Sequence, residues 1–255
     1  MDSQNIDSRK VHNAEDVVYP QSNNESDQER LHLQHFLVKS IWQNNFSAPI
    51  NHILTRHRVM PNKKRLLVGM LRVWCGSGSW SFDIATIYPT INVIGLDISQ
   101  QLTQTMPKNF TFVQANVLKG IPFENNTFDF VFQRFMAGGY TKDNWPYVMN
   151  EIVRVLKPGG FLEMMEASQN YDVGPATRRF WNAQSTFVKQ QGIDLNVYQT
   201  LEIYPQNQGQ LENIKKEVKQ IRQGVNSNDI QLNEMAINNL ILLIARMKPF
   251  AFMSD

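Results

Sequence analysis

The sequence of 255 residues carries 25 Lys and Arg against 23 Asp and Glu, a net charge of +2. This balance gives no strong indication of nucleic-acid binding, and the length suits a single α/β domain with its own core. The one cysteine, Cys75, excludes a disulfide framework and is typical of a reducing compartment. The polar start Met1–Asn5 is unlike a secretory signal, and the apolar run Leu240–Ala245 is too short to span a bilayer. We therefore expect an intracellular protein, cytoplasmic or nuclear, without a membrane partner.

The first part of the chain is expected to hold a polar tail and a helical lid. Residues 1–25 are rich in Asn, Ser, Gln and Asp, a composition typical of disorder. The segment Ser26–Glu29 matches a capping box, which predicts that a helix begins there. The apolar face of this helix is predicted to be Leu33, Phe36, Leu37 and Ile41. We expect residues 26–60 to form an N-terminal helical lid and residues 61–255 to form the core of the same domain.

Two histidines of this helix, His32 and His35, lie one turn apart, a spacing that metal ligands can use. No cysteine and no third ligand lies near them in the sequence. We interpret both as surface or packing residues and predict no metal site.

The middle of the chain alternates between buried strands and amphipathic helices. Strands are predicted over Leu66–Val73, Asn92–Asp97, Phe110–Ala115, Phe128–Phe132 and Phe161–Met165. The helix between the first two strands ends at Tyr88–Pro89, and its apolar face is Trp80, Ile84 and Ile87. This alternation predicts an α/β fold with a doubly wound, mostly parallel sheet and helices on both faces.

The most clearly amphipathic helix follows the fourth strand. Asp143 is predicted to cap it and Lys157–Gly160 to end it. Its apolar face is Trp145, Val148, Met149, Ile152, Val153 and Leu156. Two further helices are predicted over Pro175–Gln191 and Leu232–Met247. Between them, alternating residues predict an edge strand over Ile214–Ile221, with its lysines on an exposed charged face.

The sequence is organised around a glycine turn between the first strand and the helix that follows it. Gly76 and Gly78 lack a Cβ atom, so the turn can adopt unusual backbone angles and let a ligand approach closely. The N–H groups at the start of the helix then face that ligand. Asp97 ends the second strand, where a carboxylate can accept hydrogen bonds from ribose hydroxyls. We therefore favour a nucleotide-type site over an ordinary βα turn.

The residues of this turn disfavour two kinds of nucleotide site. A dinucleotide fingerprint needs a third small residue for close packing, and here Ser81 directly follows the bulky Trp80. This also disfavours a nicotinamide oxidoreductase. A P-loop needs a Gly-x-x-x-x-Gly-Lys-Ser/Thr segment, which the sequence lacks. The ligand therefore need not carry a pyrophosphate.

Six segments, in this order along the chain, carry a family resemblance: Cys75–Trp80, Val93–Ser99, Phe112–Asn116, Pro122–Phe123, Phe128–Val131 and Arg154–Gly160. Together they resemble class I S-adenosylmethionine-dependent methyltransferases, and more narrowly a fungal group that includes regulators of secondary metabolism. The resemblance implies a Rossmann-like fold and methyl transfer from S-adenosylmethionine to an unknown acceptor. A small molecule is one candidate acceptor, and a protein is a candidate partner.

The resemblance implies that the first half of the core supplies the methionine and ribose contacts of the cofactor. Backbone groups around Cys75, Gly76 and Gly78 would border the methionine part. Asp97 would hold the ribose, and Ile98 would lie against the adenine.

The later strands are implied to complete this site. Asn116 and Val117 would meet the adenine edge, and Gln133 would face the sulfonium. The sulfonium is already activated, so placing an acceptor in line with the methyl group does most of the work. No protein nucleophile is required, and no catalytic base is assigned.

Three positions depart from the family pattern, all in the cofactor site. Arg72 stands where an acid ends the first strand, Trp74 replaces the first glycine of the turn, and Asn116 replaces an acid after the third strand. Asn116 is the mild change, since its carbonyl can still accept from an adenine amino group. The other two suggest an alternative function, a catalytically impaired relative that acts as an interaction or regulatory module. We also expect the sheet to lack the family's last strand, because the sequence ends at Asp255.

Overall fold

The computed structural model of the chain describes residues 25–55, 69–100, 102, 105–168, 172–221, 223 and 229–251. The predicted tail over residues 1–25 lies outside this part of the chain except for Glu25. Residues 66–68 of the first predicted strand lie outside it as well.

Five strands form one sheet in the order β3-β2-β1-β4-β5. They are β1 (Gly69–Val73), β2 (Asn92–Asp97), β3 (Phe110–Gln114), β4 (Phe128–Arg134) and β5 (Leu156–Met165). All neighbouring strands run parallel, as expected for apolar strands that are joined by crossover connections. The predicted α/β fold with a doubly wound sheet is confirmed. The strand order reverses between β1 and β4, so the carboxyl ends of these strands border the crevice where such sheets bind ligands.

Seven α-helices accompany the sheet in the described residues. They are α1 (Glu25–Trp42), α2 (Asn51–Thr55), α3 (Ser79–Ile87), α4 (Asn144–Val155), α5 (Pro175–Gln190), α6 (Ile203–Gln208) and α7 (Ile230–Ala251). The predicted helices over 175–191 and 232–247 correspond to α5 and to a longer α7. In the part of the chain that the structure describes, no helix is both long enough and apolar enough to cross a bilayer.

The two faces of the sheet are covered by different helices. Leu71 of β1 faces a buried cluster that includes Trp145 and Ile152 of α4. Its neighbour Met70 faces a second cluster with Trp80 of α3, because successive strand residues point to opposite faces. The prediction of helices on both faces is therefore confirmed.

Several details of the predicted helices are wrong. Ile87 is 47% exposed, so it does not belong to the buried face of α3. Asp143 occupies the N-cap position of α4 without a side-chain hydrogen bond to the described helix. Instead, Asn144 Oδ1 accepts from the N–H and hydroxyl groups of Thr141 at 3.1 and 2.7 Å. Ser26 lies inside α1 instead of capping it.

The start of β5 also differs from the prediction. Phe128 of β4 pairs with Leu156 and Phe130 pairs with Phe161, so the segment between these partners is longer on β5. The predicted stop signal 157–160 therefore forms an irregular, bulged beginning of the strand.

The predicted edge strand over 214–221 is wrong. These residues form no regular secondary structure and pair with no described strand. Val218 is 70% exposed and Ile214 37% exposed, so their alternation with lysines buries no common face. A strand needs a neighbour to supply its hydrogen bonds. Within the described residues no strand follows β5.

Helix α1 is fastened to α7 and to α3. Asp27 forms a buried ion pair with Arg246 of α7, at 2.6 Å between Oδ2 and a guanidinium nitrogen. His35 Nε2 and Lys39 Nζ both contact the carboxylate of Asp83 on α3. The predicted apolar face is only partly buried: Leu37 is inside, whereas Phe36 is 40% exposed.

Candidate functional site

The glycine turn joins β1 to α3 at the carboxyl edge of the sheet. Gly76 and Gly78 have φ angles of +55° and +80°, which L-residues rarely adopt. A Cβ atom on Gly78 would lie 2.8 Å from Leu102 Cδ2 and 2.9 Å from Phe82 Cζ. A Cβ atom on Gly76 would lie 3.4 Å from Leu31 of α1. The turn therefore requires glycine at Gly78, and α1 passes directly over it.

Asp97 links the end of β2 to this turn. Its Oδ2 accepts from the Gly76 N–H at 2.8 Å, and its Oδ1 accepts from the Ser99 N–H at 3.2 Å. The side chain is 2% exposed, and this burial raises the pKa of Asp97 to about 6 despite the backbone hydrogen bonds that lower it. The two carboxylate oxygens together have about four lone-pair sites, more than the N–H groups of Gly76, Ser99 and Ile98 occupy, so Asp97 can still accept a ribose hydroxyl.

Cys75 and Ile98 border the same edge. The Cys75 N–H donates to the Leu96 carbonyl at 2.9 Å, which continues the sheet into the turn. Burial raises the pKa of the Cys75 thiol well above its usual range, so this cysteine is not a thiolate nucleophile at neutral pH. Ile98 packs partly buried against the cluster under α4.

Asn116 and Val117 follow β3. Asn116 Oδ1 accepts from the Leu118 N–H at 2.9 Å and caps the 3-10 turn Val117–Lys119. Its buried Nδ2 has no hydrogen-bond partner among the described residues. Asn116 therefore leaves an unpartnered donor, Nδ2, for a ligand, beside the acceptor oxygen that the sequence suggested. Val117 is fully buried in the core.

Gln133 lies near the end of β4, between the glycine turn and α4. The Tyr140 hydroxyl donates to Gln133 Oε1 at 3.1 Å. Gln133 Nε2 is buried without a hydrogen-bond partner in the described part of the chain. Burial raises the pKa of Tyr140 well above its usual range, so its hydroxyl stays protonated and keeps the amide in this orientation.

Arg72 does not turn outward. Its guanidinium donates to the carbonyls of Val73, Phe132 and Arg134 at 3.2 to 3.4 Å and lies 4.9 Å from the centroid of the Phe132 ring. Burial lowers the pKa of Arg72 to about 10, so it remains charged at neutral pH. A positive charge is therefore buried where the family pattern has an acid.

Trp74 keeps the backbone of the glycine that it replaces. Its φ angle is +55°, a conformation that costs a residue with a Cβ roughly 1–2 kcal/mol. The indole is buried in the cluster that includes Met136 and meets the Tyr140 ring edge-on, with centroids 6.1 Å apart. The side chain thus packs against Tyr140, whose hydroxyl donates to Gln133.

Two charged residues of this edge were not predicted as site residues. Glu166, directly after β5, accepts from the N–H groups of Met136 and Ala137 at 2.6 and 3.1 Å, and burial raises its pKa to about 7. Arg134 ends β4 and is 8% exposed. The sequence could have indicated both residues by their position, since each lies at the end of a strand at the ligand-binding edge.

The two histidines of α1 have protein partners. His32 Nδ1 lies 3.1 Å from Ser79 Oγ, and His35 contacts Asp83. Across the described residues, no group of three His, Cys, Asp or Glu side chains could hold a metal ion.

Comparison with known proteins gives one matching family, described as a methyltransferase domain, over residues 70–160. A demethylmenaquinone methyltransferase of Lactococcus lactis is 36% identical over 130 residues, which is 46% of this chain and 49% of that protein. The N-methyltransferase verN of Clonostachys rogersoniana is 26% identical over 169 residues, 64% of this chain and 55% of that protein. The chain thus matches about half the length of these relatives.

The chain also resembles a solved structure of Haemonchus contortus phosphoethanolamine N-methyltransferase 2 with S-adenosyl-L-methionine. The sequences are 21% identical, the match covers 70% of this chain and 41% of that one, and the TM-score is 0.43. The sequence match lies on the β1–β5 segment that carries the glycine turn and Asp97. Residues 70–160, which carry most of the Rossmann-like sheet, are thus the part of the chain that matches a methyltransferase domain.

Proposed function

We propose that this protein transfers a methyl group from S-adenosylmethionine to an acceptor. The observation that carries the proposal is the hydrogen bond between Asp97 and the Gly76 N–H at the carboxyl edge of β1 and β2, inside the segment with methyltransferase sequence. This pairing sets a buried acid beside a glycine turn where a doubly wound sheet binds nucleotides.

The residues at this edge fit such a cofactor. Asp97 has lone pairs left for the ribose hydroxyls. The unpartnered donors Asn116 Nδ2 and Gln133 Nε2, considered among the described residues, are the buried polar atoms that a ligand would satisfy. In the proposed arrangement, Asn116 donates to the adenine edge beside Val117, and Ile98 lies against the ring. Cys75, Gly76 and Gly78 border the methionine part, and Gln133 faces the sulfonium.

The chemistry of the proposed reaction needs little from the protein beyond positioning. When bound, the cofactor supplies an activated methyl group. The protein contributes the orientation of the acceptor and the exclusion of water, which α1 serves as a lid over Gly76. No described side chain is assigned as a base.

The identity of the acceptor and the setting of the reaction are further parts of the proposal. We propose a small-molecule acceptor, because the relatives named above act on demethylmenaquinone or are N-methyltransferases. Fungal relatives such as verN support the narrower resemblance to fungal enzymes. An intracellular location, cytoplasmic or nuclear, and a protein partner remain proposals from the sequence.

A second candidate is an impaired methyltransferase that serves as an interaction or regulatory module. The observation in its favour is the pair Arg72 and Trp74. Arg72 places a buried positive charge near the proposed position of a cofactor that is itself cationic, and Trp74 fills space against Tyr140, the hydrogen-bond partner of Gln133.

Calorimetric titration with S-adenosylmethionine and S-adenosylhomocysteine separates these functions. Native protein should bind both, and Asp97→Ala should weaken binding about 10- to 100-fold, because charge-assisted hydrogen bonds contribute about 1.5–3 kcal/mol. Asp129→Ala is the matched control. Asp129 also accepts a backbone N–H of β1, from Gly69 at 3.0 Å, but lies at the opposite end of the sheet. Absence of binding by native protein would favour the impaired relative.

A further inference from the structure

A narrow cleft lies between α1 and the carboxyl ends of β4 and β5. Its lining includes His35 and Lys39 of α1, Arg134 of β4, and Glu163 and Met165 of β5. The space between these side chains is too narrow for a water molecule, and it opens toward solvent. The cleft therefore adjoins the proposed cofactor crevice on the side of the sheet that α3 covers.

Arg134 brings an uncompensated charge to this cleft. Its side chain is 8% exposed, its Nε atom has no hydrogen-bond partner, and its guanidinium forms no ion pair with any residue that the structure describes. The centroid of the Phe135 ring lies 5.2 Å from the guanidinium carbon. Burial, together with the nearby Arg72, lowers the pKa of Arg134 well below its usual range.

The carboxylates near the cleft are already engaged elsewhere. Glu163 Oε2 accepts from the N–H groups of Ser47 and Ala48, both at 2.8 Å. Asp83 is held by His35 and Lys39. Neither acid neutralises Arg134, although a buried charge is costly unless a partner of opposite sign is present.

A second buried atom of the cleft lining also lacks a partner. His35 is 1% exposed, and its Nδ1 has no hydrogen-bond partner in the described residues. Because its Nε2 faces the Asp83 carboxylate at 3.3 Å, the ring proton belongs on Nε2, and Nδ1 is left as an acceptor. The residues that line the cleft thus include one charged donor and one neutral acceptor without hydrogen-bond partners among the described residues.

We propose that Arg134 is an oxyanion-binding residue, and that a carboxylate or similar anionic group of a ligand binds its guanidinium where this cleft opens to solvent. The anion supplies the counter-charge that the protein lacks, and the planar guanidinium can hold it through two parallel hydrogen bonds. Two sources carry this chemistry, the carboxylate of the cofactor and an anionic group on the acceptor. The proposal rests on the proposed function for the identity of the ligand, but the anion site can be tested without it.

The first arm of the test uses inorganic sulfate with native protein, Arg134→Met, Arg134→Lys and the exposed control Arg179→Met. Sulfate should raise the melting temperature of native protein more than that of Arg134→Met at equal ionic strength, and Arg179→Met should behave like native protein. Arg134→Lys should keep part of the response, because lysine keeps the positive charge but lacks the two parallel N–H donors of the guanidinium. Without sulfate, Arg134→Met should melt at or above the native temperature, since it removes an uncompensated buried charge.

The second arm compares S-adenosylhomocysteine with 5′-methylthioadenosine, which lacks the amino-acid carboxylate. If the cofactor is the source, Arg134→Met lowers the affinity for S-adenosylhomocysteine about 10- to 100-fold and leaves the affinity for 5′-methylthioadenosine unchanged. An unchanged S-adenosylhomocysteine affinity with an Arg134-dependent sulfate response assigns the site to the acceptor. If native protein binds neither nucleoside but responds to sulfate through Arg134, the proposed function fails and the anion site stands. Equal weakening of both nucleosides, or no effect of Arg134 in either arm, would overturn the proposal.

Discussion

The buried carboxylate of Asp97 should make the stability of this protein fall as the pH rises, which is the reverse of the usual effect of a native carboxylate. Its pKa is about 6 in the folded protein and about 3.9 in an unfolded chain. The folded state therefore binds the proton more tightly. The stabilisation is fully present below pH ~4 and is lost as the pH rises through ~6.

The size of this effect follows from the difference in pKa. About two pKa units correspond to roughly 3 kcal/mol, of which about 2 kcal/mol should be lost between pH ~4.5 and ~7.5. Asp97→Asn removes the titration while keeping the shape and an acceptor oxygen for the Gly76 N–H. The unfolding free energy can be measured by urea titration at both pH values. Its decrease from the lower to the higher pH should be about 2 kcal/mol smaller in the variant than in native protein.

Glu166 provides the background for this comparison. Its pKa is also raised, to about 7, so both proteins should lose some stability over the same pH range. If native protein and Asp97→Asn show the same pH dependence, Asp97 is not the buried acid that the hydrogen bonds indicate. The same titration predicts that S-adenosylhomocysteine binds native protein more tightly as the pH rises through ~6, because the ionised carboxylate is the better acceptor for ribose hydroxyls.

Two further changes test the glycine turn and the helix above it. Gly78→Ala should lower the unfolding free energy by about 2–3 kcal/mol, because φ is +80° and the added Cβ meets Leu102 and Phe82. Gly174→Ala is the control: its φ is −63° and no atom lies within 4 Å of the added Cβ, so the same urea titration should show no loss. Asp83→Asn should weaken the contacts of His35 and Lys39 with α3 and speed amide exchange in α1, with β1 unchanged as the internal control. Unchanged exchange would show that the remaining contacts with α3 and α7 hold the helix.

The sheet could be predicted from the sequence because its strands are apolar and its turns carry local signals. Asn92–Asp97 has the observed bounds, since an apolar run ends there at a polar residue. The strand predicted over 214–221 was wrong for the complementary reason. Apolar residues that alternate with polar ones can form one face of a strand. Such a strand forms only where a neighbouring strand supplies its hydrogen bonds. Val218 has none in the described chain and is 70% exposed.

The sequence predicted those features of the site that depend only on where a residue lies along the backbone. Asp97 meets Gly76 as the order of strand, turn and strand requires. The directions of long side chains were not predictable, because they depend on packing between distant elements. Arg72 could have left the site, yet the carbonyls at the end of β4 hold it inside. Arg134 gave no sign of burial in the sequence, since its environment is made by α1, about one hundred residues earlier in the chain.

The buried positions of Arg72 and Trp74 determine which variants can test whether the cofactor site is impaired. The sequence suggests restoring the family pattern with Arg72→Asp and Trp74→Gly. In this structure, Trp74→Gly would relieve roughly 1–2 kcal/mol of backbone strain but lose a buried indole that contributes about 3–5 kcal/mol. Arg72→Asp would add a third carboxylate near Asp97 and Glu166, and a like-charge pair at ~6 Å with an effective dielectric of ~20 costs about 3 kcal/mol. The double change should therefore destabilise the fold, and a failure to bind ligand would be uninformative.

Arg72→Met is the sharper test, because it removes the charge and keeps an unbranched side chain over the Phe132 ring. S-adenosylmethionine carries one more positive charge than S-adenosylhomocysteine, so repulsion by Arg72 should weaken the first ligand more than the second. We expect Arg72→Met to improve the affinity for S-adenosylmethionine at least about tenfold relative to S-adenosylhomocysteine, since half of the ~3 kcal/mol interaction already corresponds to that factor. Calorimetry with both ligands measures the ratio directly, and Arg179→Met controls for the loss of one net charge. An unchanged ratio would mean that the Arg72 charge is screened by Asp97 and Glu166, and that the position no longer argues against an active enzyme.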